Sequence, residues 1–317
     1  PLQQLNKKIT SSAAHLFEPR KAYRFRPITS PFTMFDDPSA GENPPYGASI
    51  NYWLNESAED SVSIKISDPS GNLIRTLKGP SSAGINRVWW DLRGELSKKI
   101  ILRTKPLHVD WVELDDEGKL DAAVGQSSAL VTPGTYTVEL DAFGINTSKK
   151  LSIVKDPHSE GSEKDIAEQT KMILDMQSDI NETASLINRI EMIRSQLYDI
   201  RIMTKDHEVA EEISTAVESL DKKFISVEGE LYQMRLTGAG QDGIRWPAKL
   251  AGKLGYLASV VETADFPPND QQREVHQILK DRLTLYDKQF NNILRNELPA
   301  FDRLMKKHNL TGIITED

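Results

Sequence analysis

Between Tyr46 and Lys155 apolar and polar residues alternate in short runs. From Ser162 onward the apolar positions recur every three or four residues. The first pattern has the period of strands and the second that of helices. In the run 46–54, Ala48, Ile50, Tyr52 and Leu54 share one face and Trp53 takes the other. Val62, Ile64 and Ile66 alternate with serines and Lys65. DPSGN, 68–72, supplies a turn with Pro at its second position and Gly where φ is positive. LIRTL follows, then the turn GPSSAG, 79–84, and a further strand INRVWWDL, 85–92. VTPGTYTVELDAF, 131–143, and KKLSIVKD, 149–156, read as closing strands, with Tyr136, Val138 and Leu140 facing inward. Ahead of these two, LHVDWVELDDEGKLDAA, 107–123, reads as a hairpin turning at DDEG. Two-residue alternation between tight turns predicts antiparallel pairing, and repeated hairpins of this kind build a sandwich.

The helical half opens at Ser162, with Asp165 three residues on as an N-terminal cap pair. Ile166, Ile173, Ile180 and Ile187 repeat every seven residues, with Met176, Ile190 and Leu197 in the second seam position. This helix is predicted to run to about Met203. A second, 208–236, carries Ile213, Val217, Leu220, Phe224, Val227, Leu231 and Met234 in alternating steps of four and three. TGAGQDG breaks it. Trp246-Pro247 opens a third helix, and DFPPND, with Asn269 or Asp270 as cap, opens a fourth that ends or kinks at Pro299. Short connections between four such helices predict an up-and-down bundle.

Residues 1–44 differ from both halves. Pro19, Pro27, Pro31, Pro38 and Pro44 forbid a long helix, while Leu16, Phe17, Tyr23, Phe25, Phe32 and Phe35 are too apolar for a free linker. The expected organisation is an extended Pro-rich leader over 1–44, a β-sandwich over 45–157 and a helical bundle over 158–317. Arg20, Lys21, Arg24 and Arg26 in the leader are expected to be solvated or paired locally.

Composition narrows the function. Residues 158–317 hold 20 Lys and Arg against 28 Asp and Glu, the whole of the net charge of -8. An acidic chain without a basic stripe argues against nucleic acid and anionic lipid as partners. No apolar run is long enough to span a membrane. The 317 residues include no cysteine, which excludes disulfides, zinc–thiolate sites and cysteine nucleophiles.

No catalytic residue, cofactor site or metal site emerges from motif and spacing. Trp89, Trp90 and Asp91 form the most suggestive group, an acid beside two aromatics able to stack on a sugar ring. In an alternating strand the two tryptophans point to opposite faces, so one belongs to the core. Glu113, Asp115 and Glu117 precede Gly118 in a superficially calcium-like loop. Val124 stands where that loop needs its bidentate acid, which favours a plain turn. The six histidines are scattered, with no pair at ligand spacing.

The segment DPSGNLIRTL…AGINRVWWDLRG resembles the immunoglobulin-like domain related to that of the flagellar hook-capping protein. The shared positions are Asp68, Gly71, Ile74, Arg75, Leu77, Ala83, Gly84, Asn86, Trp90, Asp91, Pro133, Gly134 and Tyr136. More widely, LFEPRKAYRFR, DDPSAGENPPYGASINYWL, KDPHSEGSEKDIAEQ, NRIEMIRSQLYDI and PAKLAGKLGYL resemble the C-terminal region of large exported bacterial β-propeller proteins of the sortilin-type, or Asp-box glycosidase-like, group. That resemblance implies an α+β chain, an immunoglobulin-like sandwich followed by about four helices. It also implies a periplasmic or extracellular location, and a propeller preceding this region that holds any glycosidase-type site. No Ser-x-Asp-x-Gly-x-x-Trp repeat occurs here. No catalytic residue therefore carries over. The expected role is a non-catalytic accessory region that packs on or positions the preceding propeller, with possible self-association through the long helix. The alternative is a glycan-binding or glycoside-hydrolase-associated module of a carbohydrate-active protein.

Overall fold

The structure, a computed structural model, describes residues 1–26, 44–60, 62–108, 112–122, 124–235 and 241–315. The strands are β1 (Ala14–Leu16), β2 (Ala22–Arg24), β3 (Ala48–Leu54), β4 (Val62–Ser67), β5 (Leu73–Gly79), β6 (Gly84–Trp90), β7 (Ile101–Leu102), β8 (Leu120–Asp121), β9 (Gly134–Ala142) and β10 (Ile145–Lys155). The helices are α1 (Lys7–Thr10), α2 (Glu163–Met203), α3 (Ala210–Leu231), α4 (Asp242–Arg245), α5 (Leu250–Val261), α6 (Asp270–Asn296) and α7 (Leu298–Lys307). The chain is mixed α+β. It divides into two compact units, each assembled from separated stretches. Pro1–Glu95, Ser128–Met172 and Thr263–Pro267 form the first; Leu96–Ser127, Ile173–Glu262 and Pro268–Asp317 form the second. Residues 96–127, grouped above with the sandwich, thus count with the helices.

The first unit contains a three-stranded sheet, β1-β3-β6, and a five-stranded sheet, β2-β10-β9-β4-β5. All pairings are antiparallel except β2 with β10. The two sheets share one core. Leu16, Ile50, Tyr52, Leu54 and Trp90 come from the smaller sheet; Ile64, Ile66, Tyr136, Val138, Leu140, Leu151 and Ile153 from the larger. The Trp90 and Tyr136 rings meet edge-on with centroids 5.7 Å apart. The predicted turns form as their residues require. Gly71 has φ +89°, and Asp68 Oδ1 accepts from the backbone N–H of Ser70 and Asn72 at 2.8 Å. Gly47 is constrained more tightly. Its φ is +111°, and a Cβ there would lie 1.9 Å from the Trp90 carbonyl oxygen.

The leader is built into both sheets of the first unit. β1 pairs with β3 and β2 pairs with β10, so it contributes one strand to each sheet. Leu16 and Phe17 are fully buried. Arg24, expected in solvent or in a local pair, is 1% exposed. Its Nε donates to the Val131 carbonyl at 2.7 Å and its Nη1 meets Asp265 Oδ1 at 2.6 Å. The physical reason is strand alternation. Ala22 and Arg24 face inward on β2, and only a distant acid can neutralise a guanidinium placed there. Residues 27–43, the remainder of the Pro-rich segment, lie outside the described residues.

In the helical unit the predicted seam is core. Ile173, Met176, Ile180, Ile187, Ile190 and Leu197 of α2 are all buried. The chain's own packing covers these seam residues. Ser162 and Asp165 cap α2 reciprocally, and Asn269 with Gln272 forms a capping box on α6. Phe224 of α3 and Phe290 of α6 pack with centroids 6.0 Å apart. Pro299 lies in the first turn of α7, where its missing N–H costs nothing. Pro247 does not open α5, which starts at Leu250.

Candidate functional site

The chemistry of the helical unit is concentrated where residues 96–105 lie along α2. This segment has little sheet of its own, only the two-residue strand β7 against β8. Its backbone N–H groups donate instead to side chains of α2: Lys98 to Asn181 at 2.6 Å, Ile101 to Asn188 at 2.8 Å, and Arg103 and Thr104 to Glu191 Oε2 at 2.5 and 2.9 Å. Asn188 also donates to the Lys99 carbonyl at 2.9 Å. Asn181, Ser185, Asn188 and Glu191 recur at three- and four-residue steps, so they form one polar stripe down the helix. That stripe satisfies the backbone of an otherwise irregular segment.

Glu191 links the stripe to a buried charge cluster. Arg194 Nη1 lies 2.8 Å from Glu191 Oε1 and 2.8 Å from Glu228 Oε2, while its Nε lies 2.8 Å from Asp221 Oδ1. The side chains of Arg194, Glu191 and Glu228 are 4%, 1% and 1% exposed, so solvent screens little of this. Burial pushes the Glu228 carboxyl well above the usual carboxylate range, and the neighbouring Glu191 charge adds to that, against the pull of Arg194. Burial alone would lower the Arg194 guanidinium, but Glu228, Glu191 and Asp221 more than offset it. A proton retained on Glu228 relieves the crowding of like charges around one arginine.

Arg194 and Asp221 also line an open pocket of about 440 Å³. Its other walls come from Leu197, Tyr198 and Arg201 on α2, Val217 and Glu218 on α3, and Arg103, Thr104, Lys105, Leu107 and Leu114. The pocket is within the size range of small-molecule sites.

The residues singled out in the sequence separate. Trp90 is fully buried in the sheet core, its Nε1 donating to the Arg93 carbonyl at 2.8 Å. Asp91 is exposed and turns the chain by accepting from the Arg93 N–H at 3.1 Å. Trp89 alone points to the outer face, half-buried, with the Arg87 guanidinium 6.0 Å from its ring centroid. There it lines a groove of about 370 Å³ with Ser49, Asn51, Arg87, Arg20 and Lys21. The loop around Asp115 is a turn, with Asp115 Oδ1 accepting from the N–H of Glu117 and Lys119. Among the described residues no group of three or more His, Asp or Glu could hold a metal ion. His276 Nε2 lies 2.6 Å from Asp179 Oδ2, an α6–α2 pair.

Sequence reasoning missed the Arg194 cluster, although one signal was present. Counting seven residues on from Ile187 gives Arg194, a charge at a seam position. Its acids Asp221 and Glu228 directly follow the seam residues Leu220 and Val227. Compared with protein-family models, with curated proteins and with solved structures, the chain matches none. No described helix is long and apolar enough to cross a membrane.

Proposed function

We propose that this chain is a non-catalytic accessory region of an exported bacterial protein, an immunoglobulin-like sandwich with an up-and-down helical bundle that packs on and positions a preceding β-propeller domain. The observation that carries this reading is the seating of β1 and β2. A stretch that supplies a strand to each of two sheets and buries Leu16, Phe17 and Arg24 is a stiff attachment rather than a flexible tether. A domain joined to it inherits a defined orientation. The resemblance of the leader and sandwich motifs to regions that follow propellers supplies the identity of that domain.

The test is small-angle scattering with ¹⁵N relaxation on the exported protein that carries both domains. The proposal expects a single tumbling time for the propeller and this region. Independent tumbling of the two would sink it.

A second reading, glycan binding, is favoured by one observation: Trp89 shares a groove with Ser49, Asn51 and Arg87, an aromatic face beside hydrogen-bonding groups. Immobilised polysaccharides should then retard the wild-type chain in native electrophoresis but not Trp89→Ala. Equal mobility of the two proteins on every polysaccharide tried would remove this reading.

A further inference from the structure

We infer that the pocket beside Arg194 binds a small amphipathic carboxylate, an acyl or aryl acid with one anionic head and an apolar body. Three features of the helical unit support this. First, the pocket holds cations with no ion pair among the described residues. Arg103 gives its backbone N–H to Glu191, but its Nε is buried and has no hydrogen-bond partner. Its guanidinium makes no ion pair among the described residues. Such a group costs stability unless something accepts from it. Arg201 is exposed, makes no ion pair among the described residues and lies over the Tyr198 ring at 5.4 Å. The remaining charges lining the pocket are spoken for. Arg194 is held by Glu191, Asp221 and Glu228, and Lys105 is paired with Glu113 at 2.6 Å. Arg103 and the exposed Arg201, neither in an ion pair among the described residues, give the pocket a cationic side able to take an anion, opposite Glu218 and the Arg194-bound Asp221.

Second, apart from Thr104 the rest of the lining is apolar or aromatic. Leu197 and Val217 are buried, and Leu107, Leu114 and Tyr198 stand around them. Leu107 is 48% and Tyr198 54% exposed, so the ligand's body would cover apolar surface now facing water. Third, the planar guanidinium fork matches a carboxylate in two parallel hydrogen bonds, a geometry that an ammonium does not offer. An inorganic anion would satisfy the arginines but leave the leucine wall wet, and a neutral apolar molecule would do the reverse.

The whole chain is titrated by calorimetry with decanoate, decanol and acetate. Decanoate should saturate one site and raise the melting temperature. Acetate and decanol should each bind at least about tenfold more weakly, the loss of one charge-assisted hydrogen bond or of the apolar contact. Arg103→Met, which keeps the stem and removes the fork, should weaken decanoate about tenfold and leave decanol unchanged. Backbone ¹H–¹⁵N shifts on the wild-type protein provide a readout independent of any variant. Perturbations centred on Arg103, Leu107, Tyr198 and Arg201 support the site. No saturation by decanoate, decanol binding as tightly as decanoate, an Arg103→Met affinity equal to wild type, or shifts centred elsewhere would each overturn it.

Discussion

Arg24 Nη1 lies 2.6 Å from Asp265 Oδ1, a contact that closes 241 residues of chain within the first unit. Arg26 joins the same oxygen at 2.9 Å, and Ser159 Oγ donates to the other at 3.0 Å. Asp265 is thereby the counter-ion for a guanidinium that β2 delivers to the interior.

Removing that counter-ion should be costly. Asp265→Ala leaves Arg24 buried with only the Val131 carbonyl as acceptor, and about 3–5 kcal/mol of stability should be lost. Urea unfolding of Asp265→Ala, Arg24→Met and the double variant checks this. The double variant should lose less than the sum, because no charge is left unpaired.

The same aspartate should shape acid unfolding. Burial raises its carboxyl, but the hydrogen bond and charge of Arg24, the charge of Arg26 and the Ser159 hydroxyl outweigh that and hold it below the usual range. A depressed folded value means that the unfolded chain binds the proton more readily. The stabilisation is therefore present above about pH 3.9, the unfolded value, and is lost as pH falls through the lower folded one. Asp265→Asn should flatten the stability profile in that acid window; a profile parallel to wild type would count against the pairing.

Glu228 should act in the opposite sense. Its raised carboxyl binds the proton more readily folded than unfolded. That contribution is full below about pH 4.3 and is lost as pH rises through the folded value. Glu228→Gln keeps an acceptor for Arg194 and has no charge to bury. It should cost little near pH 5 and gain on wild type toward pH 9, measured as the difference in denaturation midpoint. Arg194→Met should cost about 3–5 kcal/mol, since it leaves Glu191 and Asp221 without their cation.

The two turn glycines should differ. Gly47→Ala meets the Trp90 carbonyl 1.9 Å from its Cβ at a φ of +111°, whereas Gly71→Ala meets open space at a φ of +89°. The second should cost about 1–2 kcal/mol from backbone strain alone. Gly47→Ala should cost clearly more, with loss of pairing at the Ala48–Trp90 end of β3 and β6. Thermal unfolding and amide exchange at that end check both.

The polar stripe of α2 should be local in effect. Asn188→Ala removes the acceptor for Ile101 N–H and the donor to Lys99 carbonyl. Amide exchange of residues 98–104 should accelerate by about tenfold or more, with the helix cores unchanged. Uniform acceleration across α2 and α3 would show that the stripe does more than hold this segment.

Much of the secondary structure was legible because its periodicity is strong. The alternation of Val62, Ile64 and Ile66 and the seven-residue return of Ile173, Ile180 and Ile187 each state which face is buried, and burial follows. Residues 96–127 resisted the same reading. Within them, the backbone of Lys98, Ile101, Arg103 and Thr104 donates to Asn181, Asn188 and Glu191, whose positions on the helix carry no mark in the segment itself.

The sequence by itself determined local periods, turns and caps, because these depend on neighbours a few residues apart. It placed Ala48, Ile50, Tyr52 and Leu54 on one face, Asn269 or Asp270 at the head of α6, and Trp89 and Trp90 on opposite sides of one strand. Only the tertiary structure decided which tryptophan is buried, which acid answers Arg24, and that Arg194, Glu191, Asp221 and Glu228 converge. A charge pair has no period. Its strength depends on distance and on exclusion of water, and both are set only when Asp265 comes to Arg24 and α3 comes to α2.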